Sequence, residues 1–291
     1  MIFKQMNTAA IHDISGVGKC SITVALPVLS ACGVETAIMP TAVLSTHTGG
    51  FTGFTYRDLT EDMLPTARHW KEVGCSFESL YTGFLGSGEQ IEIVKEIFTM
   101  FKNENNVIIV DPVMGDNGKI YQTYTKAMAD GMRELCERAD IVVPNITEAC
   151  YMLKMEYKDG PYEQGYIEDI LRGLYAMGPN KAILTGVSFD DEKLGAACYD
   201  GDKIEYFLLD KIEGHYHGTG DLFCSVLLGG ILNGMDIFSA CEIATEFTWK
   251  SIESTNLHSK DFKFGPKFEC VLPWLAQKME DKRKCLQNQL S

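Results

Sequence analysis

A chain of 291 residues, 45% of them hydrophobic, can bury a large core and suits one α/β domain, which we predict over residues 1–291. Acidic residues number 40 against 26 basic ones, and the formal net charge of −14 argues against nucleic acid and anionic membrane as partners. No apolar run reaches the roughly 18 residues of a membrane span, and the N-terminus lacks a signal-peptide core. We therefore expect a cytoplasmic protein.

Short apolar runs alternate along the chain with longer amphipathic ones. The runs that predict strands are 8–11, 35–40, 79–84, 107–112, 140–144 and 181–186. The segments that predict helices are 19–32, 60–73, 88–103, 123–138, 146–154, 162–177, 220–234 and 236–254. This alternation is typical of a mostly parallel sheet with helices on both faces. Two later runs within 195–209 predict an added hairpin, and 275–289 predicts a solvent-exposed helix.

The ten cysteines form no Cys-x-x-Cys pair, and several lie inside apolar runs. Neither a zinc site nor a disulfide framework is predicted from this pattern. Buried thiols in a reducing compartment are the better interpretation.

The segment HDISGVGKCS, residues 12–21, resembles the start of a phosphate-binding loop. A P-loop requires Gly, four residues, and then Gly-Lys-Ser/Thr. Asp13 stands where the first Gly is needed, and Cys20 stands where the hydroxyl is needed. We therefore predict a strand-to-helix turn in which Lys19 is solvated, and we place any phosphate chemistry elsewhere.

Polar residues follow three successive predicted strands. Asp111 ends one run, Asn145 and Glu148 follow the next, and Thr185 lies near the end of the third. Ligands in an open parallel sheet collect outside the carboxyl ends of the strands. We therefore expect these side chains to form one cluster.

Gly218-Thr219-Gly220-Asp221 runs directly into a long apolar helix. Glycines let the backbone approach a ligand, and the free N–H groups of a first helical turn attract anions. The segment fits an ordinary helix start whose Asp offsets the helix dipole. It also fits a phosphoryl-transfer site, in which the amides hold the phosphoryl group and Asp221 takes the proton of the attacking hydroxyl.

The histidines have structural alternatives. His12 and His47 each fit a buried structural histidine as well as a site residue. His215 and His217 have a spacing compatible with metal binding on a strand, but no acid or cysteine is spaced to complete the set, so no zinc site is predicted there.

The motifs together resemble the ribokinase-like superfamily and, within it, the pyridoxal (pyridoxine, pyridoxamine) kinase family. The resemblance is carried by Gly-Thr-Gly-Asp at 218–221, Asp-Pro-Val-Met-Gly-Asp at 111–116, Pro-Asn-x-x-Glu at 144–148, STHTGGF at 45–51, YTGFLGS at 81–87 and DIVVPNITEA at 140–149. It implies a ribokinase-like α/β fold, with a mostly parallel sheet, and ATP-dependent phosphorylation of the 5′-hydroxymethyl group of a B6 vitamer. ATP and Mg²⁺ are the implied cofactors, a K⁺ requirement stays open, and a homodimer is suggested.

The resemblance also implies roles for individual residues. It marks Asp221 as catalytic base with Gly218, Thr219 and Gly220 as anion hole, Asp111 and Glu148 for Mg²⁺, Asp116, Tyr121, Asn145 and Thr185 on the nucleotide side, and Ile11, Asp13, His47, Thr48 and Phe84 beside the substrate ring. Ile11 departs from the serine common in the family, and Phe84 departs from a tyrosine.

Two other functions stay open. The segment HDISG also resembles hydroxymethylpyrimidine kinases, although these usually carry Cys in place of Asp221 and lack His-Thr-Gly. A non-catalytic vitamer-binding protein is the alternative from another class, and the intact 218–221 segment argues against it.

Overall fold

The computed structural model describes residues 6–121, 124–258 and 262–289. Its strands are β1 (Met6–Ser15), β2 (Val34–Leu44), β3 (Tyr56–Asp58), β4 (Ser79–Thr82), β5 (Val107–Val110), β6 (Gly115–Asp116), β7 (Lys119–Ile120), β8 (Ile141–Val142), β9 (Lys181–Val187), β10 (Lys193–Tyr199) and β11 (Ile204–Asp210). The main sheet has the order β11-β10-β9-β8-β5-β4-β1-β2-β3, and β6 pairs with β7 in a separate ribbon. Strands β2, β1, β4, β5, β8 and β9 pair in parallel in the middle of this sheet, whereas β3, β10 and β11 pair antiparallel at its two edges.

Helices cover both faces of this sheet. They are α1 (Ile22–Ala31), α2 (Thr60–Glu72), α3 (Gly88–Phe101), α4 (Lys126–Cys136), α5 (Ile146–Leu153), α6 (Gln164–Ala176), α7 (Thr219–Leu232), α8 (Ile237–His258) and α9 (Leu272–Gln289). One core cluster lies between the sheet and α2 to α6, and a second lies between the sheet and α1, α7, α8 and α9. Among the described residues, no helix has both the length and the apolar composition to cross a bilayer.

Side chains alternate between the two cores along each strand. On β1, Ala10 belongs to the core beneath α7, and Ile11 belongs to the core on the opposite face. Helix α7 is buried through most of its length because apolar residues surround it on nearly all sides. Gly229 permits this packing, since a Cβ there would lie 2.5 Å from the sulfur of Cys32.

The predicted α/β class, the parallel core of the sheet and the late hairpin are confirmed. Helix α1 begins at Ile22 instead of residue 19, because Gly18 and Ser21 have positive φ angles of 95° and 53°. Helix α4 begins at Lys126, after the cap Thr125, and the predicted start at 123 lies outside the described residues.

The prediction of a solvent-exposed helix over 275–289 is wrong in part. Leu275 and Met279 are fully buried, and both belong to the core beneath α1 and α7. They lie four residues apart and so share one face of α9. The run of charged residues that follows Met279, from Glu280 to Lys284, concealed this short apolar stripe. The short edge strand β3 and the β6–β7 ribbon were not predicted either.

Candidate active site

A cavity of about 380 Å³ lies at the carboxyl ends of the parallel strands. Its walls come from the segment after β5, the start of α5, the β6–β7 ribbon, the loop after β11, and the start of α7. It brings together the predicted residues Asp111, Asp116, Tyr121, Asn145, Glu148, Thr185, Gly218, Thr219, Gly220 and Asp221. The predicted ring-side residues do not line this cavity.

Asp221 lies in the first turn of α7 and is buried. The backbone N–H of Ser21 donates a hydrogen bond to its Oδ2 over 2.8 Å. Burial raises the pKa of Asp221 to about 7, the hydrogen bond from Ser21 opposes this rise, and the charge of Asp13 adds to it. A carboxyl group with a pKa near neutrality can take up and release a proton in the working pH range. Asp221 therefore has the placement and the protonation range of a general base.

The turn before α7 exposes open backbone N–H groups to the cavity. Gly218 has a φ of 80°, and a Cβ there would stand 1.9 Å from the carbonyl oxygen of Lys19. Only glycine fits that position. Thr219 and Gly220 begin the helix, and the first N–H groups of a helix have no partner within it. Such groups bind anions.

Two further carboxyl groups lie close to this turn. Asp111 and Glu148 are 5% and 3% exposed, and a Cβ at Gly220 would lie 3.4 Å from Oδ2 of Asp111. Burial, Glu148 and Asp221 together raise the pKa of Asp111 well above its usual range. Burial raises the pKa of Glu148 to about 8, although backbone N–H groups oppose the rise. The cavity therefore concentrates carboxyl groups that a bound cation would stabilise in their ionised form.

Glu148 and Asn145 also form the start of α5. The Asn145 side chain accepts from the N–H of Glu148 over 2.9 Å, and Glu148 accepts from the N–H of Asn145 over 2.9 Å, so the two close a capping box. The other carboxylate oxygen of Glu148 accepts from the N–H of Met114 over 3.1 Å. Both oxygens of Glu148 thus have backbone donors, which ties the segment after β5 to α5.

Asp111 and Glu148 fit a magnesium ion that is shared with water and phosphate better than a metal ion whose ligands all come from the protein. Within the described ranges, no three His, Cys, Asp or Glu side chains are grouped closely enough to hold a metal by themselves. Mg²⁺ is typically bound through one or two carboxylates together with water and substrate phosphates. Of the two acids, Asp111 would be the better direct ligand of such an ion, since Glu148 already accepts two backbone hydrogen bonds.

The β6–β7 ribbon forms one rim of the cavity. The N–H of Gly118, at the ribbon's tip, donates to the hydroxyl of Thr147 over 2.9 Å and so fastens the ribbon to α5. The distance from Oδ2 of Asp116 to Nε2 of His215, in the loop after β11, is 3.8 Å. Tyr121 follows the ribbon and is exposed. The predicted nucleotide-side residues Asp116 and Tyr121 lie on this rim, and the side chain of Asn145 adjoins it by donating to the carbonyl oxygen of Gly115 over 2.9 Å.

Thr185 lies next to Asn145. Its hydroxyl lies 3.4 Å from the carbonyl oxygen of Pro144, and its backbone bridges to Asn145. This contact joins the ends of β8 and β9. The predicted hydroxyl position on the nucleotide side is therefore half-buried and fixed by its neighbours.

The predicted ring-side residues differ in accessibility. Ile11 is fully buried in the core beneath α2 to α6, so its side chain does not offer a surface to a ligand in the cavity. Asp13 is buried and accepts hydrogen bonds from Ser21 and Ser15 over 2.5 and 2.8 Å. Thr48 is exposed, and Phe84 is half-buried with its ring 6.3 Å from that of Tyr124.

His47 is held in a neutral, oriented state. Its Nε2 lies 2.7 Å from the carbonyl oxygen of Lys263, and its Nδ1 accepts from the N–H of Gly49 over 3.1 Å. Burial lowers the pKa of His47, while the Lys263 carbonyl and Asp13 act in the opposite direction. Both ring nitrogens are already engaged, so His47 contributes shape and apolar surface more than a free hydrogen bond.

Lys19 does not point at the cavity. Its ammonium group pairs with Glu269 over 2.7 Å and lies over the ring of Phe268. It is half-buried, which differs from the predicted solvated position. The turn at 16–21 is thus a strand-to-helix connection, as predicted.

Some residues near this site have no signal in the sequence, and for His12 the sequence left a structural and a site role open. Ser21 was not predicted as a site residue, yet its N–H donates to Asp221. His217 and Trp249 line the cavity, and the indole N–H of Trp249 donates to the carbonyl oxygen of Asp210 over 2.7 Å. His12 lies 4.0 Å from Asp221.

This architecture, a mostly parallel sheet with an acidic cavity at the carboxyl ends of its strands, is that of a ribokinase-like α/β protein. Residues 21–267 match the family described as phosphomethylpyrimidine kinase, and the chain belongs to that family.

Known proteins of similar sequence and structure include a Bacteroides thetaiotaomicron protein, provisionally assigned as a phosphomethylpyrimidine kinase and crystallised with pyridoxal. It is 36% identical, with a TM-score of 0.89 over 94% of this chain and 96% of that one. The pyridoxal kinase of Lactobacillus plantarum is 28% identical, with a TM-score of 0.87 over 96% of this chain and 99% of that one. The pyridoxal kinase of Dictyostelium discoideum is 28% identical over 64% of each chain, so the match spans slightly less than two thirds of that relative's length. The predicted resemblance to the pyridoxal kinases and the predicted fold are confirmed.

Proposed function

We propose that this protein is an ATP-dependent kinase that phosphorylates the 5′-hydroxymethyl group of pyridoxal, pyridoxine or pyridoxamine. The observation that carries the proposal is Asp221, buried in the first turn of α7 beside the open N–H groups of that turn. Phosphoryl transfer requires positioning, charge neutralisation and a base. The start of α7 supplies a base and an anion site within one turn of helix.

In the proposed reaction, Asp221 accepts the proton of the substrate hydroxyl as its oxygen attacks the terminal phosphoryl group. The N–H groups from Gly218 to Gly220 face the negative charge that spreads over the transferring group. The Ser21 N–H keeps one carboxylate oxygen of Asp221 occupied, which fixes the direction of the other. Nucleotide would lie along the wall that runs from Asp116 and Thr185 to Trp249.

Asp111, assisted by Glu148, would hold Mg²⁺ in this cavity. A bound Mg²⁺ supplies charge neutralisation for the phosphates. Asp13, His47, Thr48 and Phe84 remain the proposed ring-side residues, and the burial of Ile11 leaves it a core residue.

The relatives support this proposal by what they bind and do. The Bacteroides protein was crystallised with pyridoxal, and the Lactobacillus and Dictyostelium relatives are pyridoxal kinases. The family description favours the second candidate, a hydroxymethylpyrimidine kinase. The carboxylate at Asp221 and the His47-Thr48-Gly49 segment favour the B6 vitamers over it.

A parallel coupled assay of ADP formation tests the proposal. The substrates are pyridoxal, pyridoxine, pyridoxamine and hydroxymethylpyrimidine, each with ATP and MgCl₂ and with Asp221→Asn as the inactive control. We expect kcat/KM for at least one vitamer to exceed that for the pyrimidine by about tenfold or more, roughly the discrimination that one or two substrate hydrogen bonds supply. A preference for the pyrimidine would favour the second candidate. Vitamer binding without turnover would favour a binding protein.

A cytoplasmic location, one domain over the full chain, a homodimer, and the absence of nucleic-acid and membrane partners remain predictions. The same holds for the open K⁺ requirement, which titration of KCl in this assay addresses.

A further inference from the structure

His12 is a buried histidine without a hydrogen-bond partner among the described residues. It lies on β1, its relative exposure is 0%, and neither ring nitrogen is hydrogen-bonded. An unpaired polar group is costly to bury, so its presence calls for a compensating interaction. Burial lowers the pKa of His12 to about 3, which keeps the ring neutral with one N–H donor.

The surroundings of His12 are shaped around its ring. Tyr81 packs edge-on against it at 4.4 Å between ring centroids. Gly83 leaves the necessary space, since a Cβ there would lie 2.5 Å from Nδ1 of His12. The ring is therefore confined between β4 and α7, with Nδ1 4.0 Å from Oδ1 of Asp221.

Asp221 has one oxygen engaged and one facing this ring. Oδ2 accepts from the N–H of Ser21, whereas Oδ1 is the oxygen nearest to His12. The other titratable groups that act on Asp221 or feel its charge are Asp13, Cys20, Tyr81, Asp111, Tyr121 and Cys224. Each of these becomes an anion when it ionises, and His12 does not.

We propose that His12 is a positioning residue that donates a hydrogen bond from Nδ1 to Oδ1 of Asp221 and thereby orients the base toward the substrate hydroxyl. This inference rests on the proposed role of Asp221. Closing the 4.0 Å separation to a hydrogen bond of about 3 Å requires a shift of roughly 1 Å. Hydrogen bonds of catalytic groups commonly tighten by such amounts when substrate binds.

Two variants of His12 separate orientation from packing. His12→Asn places an amide N–H close to the position of Nδ1, whereas His12→Phe keeps the ring and removes the donor. Thr41→Val is the matched control, because Thr41 is also fully buried with an unpartnered hydroxyl on the neighbouring strand. We expect His12→Phe to lower kcat by about tenfold, the value of one hydrogen bond to a charged group, with KM for ATP within about twofold. His12→Asn should recover most of kcat, and Thr41→Val should match the parent.

Equal kcat in His12→Phe and the parent, or no recovery in His12→Asn, would overturn the proposal. If His12→Phe does not fold, NMR of the parent protein tests the proposal by itself. The ring ¹⁵N and ¹³C chemical shifts of His12 are measured, and they are assigned by their loss in His12→Asn. We expect the neutral tautomer with the proton on Nδ1, and a proton on Nε2 would contradict the proposal. Because this readout needs no substrate, it stays informative if the parent phosphorylates no vitamer, a result that would refute the proposed function instead.

Discussion

Two glycine-containing turns meet in this molecule, and each leads from a strand or loop into a helix. The turn at 16–21 opens α1, and the turn at 214–220 opens α7; the carbonyl oxygen of Lys19 in the first lies where a Cβ of Gly218 in the second would be. The first carries the Gly-Lys pair of a phosphate loop, but its lysine pairs with Glu269. The second carries no cation, yet its N–H groups line the cavity. A candidate anion site therefore differs from a simple strand-to-helix connection in where its helix starts. The start of α7 faces the cavity and the start of α1 does not, and this matters more than which residues the turn contains.

The second turn should be the more sensitive of the two, and Asp221→Ala is the strongest test. Loss of a general base that acts mainly in the transition state should lower kcat by about 10²- to 10⁴-fold and leave KM for ATP nearly unchanged. Steady-state kinetics with pyridoxal measures both constants. Asp221→Asn, which keeps the shape, should show a similar loss. A decrease of less than about fivefold would remove Asp221 from the role of base.

Gly218→Ala tests the point where the two turns touch. The new Cβ would lie 1.9 Å from the carbonyl oxygen of Lys19 at a φ of 80°, so both turns must move apart. We expect kcat to fall at least about tenfold, because misplacement of about 1 Å can cost far more than that, and the melting temperature to fall by several degrees. Gly74→Ala is the control, since Gly74 has a φ of 82° but open space around it. Equal melting temperatures in the two variants would show that the contact between Gly218 and Lys19 does not contribute to stability.

The pH dependence of kcat should report the burial of Asp221. Its pKa is raised to about 7, so the carboxylate that accepts a proton predominates only above that pH. We therefore expect kcat to fall by about tenfold per pH unit below neutrality, as for a single essential base. A pH profile between 5 and 9 in a buffer of constant ionic strength measures it. A profile flat down to pH 5 would mean that the base ionises at its ordinary value in the complex.

Asp111→Asn should raise the Mg²⁺ concentration needed for half-maximal rate by severalfold. The expected effect of Glu148→Gln on this titration is smaller, because both oxygens of Glu148 already accept backbone N–H groups. Glu148→Gln should instead lower the melting temperature, since it weakens the capping box of α5. Unchanged Mg²⁺ titrations in both variants would make the two acids structural.

Lys19→Ala should have the smallest effect. The lysine of a true phosphate loop contacts the β- and γ-phosphates, and its removal is severe. Here the side chain binds Glu269, so KM for ATP should stay within about threefold of the parent. Glu269→Ala breaks the same pair from its other side and should behave alike. A collapse of ATP binding in Lys19→Ala alone would reverse the comparison between the two turns.

The motif residues were predictable because their positions depend on local order in the chain. Asp111 ends a strand and Asp221 begins a helix, so strand and helix prediction alone places both at the same edge of a parallel sheet. The ring-side set was less predictable because it depends on strand register. Successive residues of β1 face opposite sides of the sheet. An error of one residue in the sequence alignment therefore puts Ile11 where His12 lies, on the other face.

Other residues could not be found from local patterns at all. Trp249 comes from the middle of α8, and His217 comes from a loop without regular structure, so only long-range packing brings them to the cavity. The burial of Leu275 and Met279 on α9 could not be predicted for the same reason. Two apolar residues in a charged segment do not indicate which part of the molecule packs against them.

The placement of Trp249 gives the protein an optical reporter. Of the three tryptophans in the chain, Trp249 lines the cavity, whereas Trp70 lies on α2 and Trp274 on α9. Its half-buried indole is hydrogen-bonded to the carbonyl oxygen of Asp210, at the end of β11. A planar base entering beside it would displace water from the ring and change its emission. If nucleotide binds in this cavity as proposed, its titration should therefore change the fluorescence without a label, and Trp249→Phe should abolish that change while the other two tryptophans continue to emit.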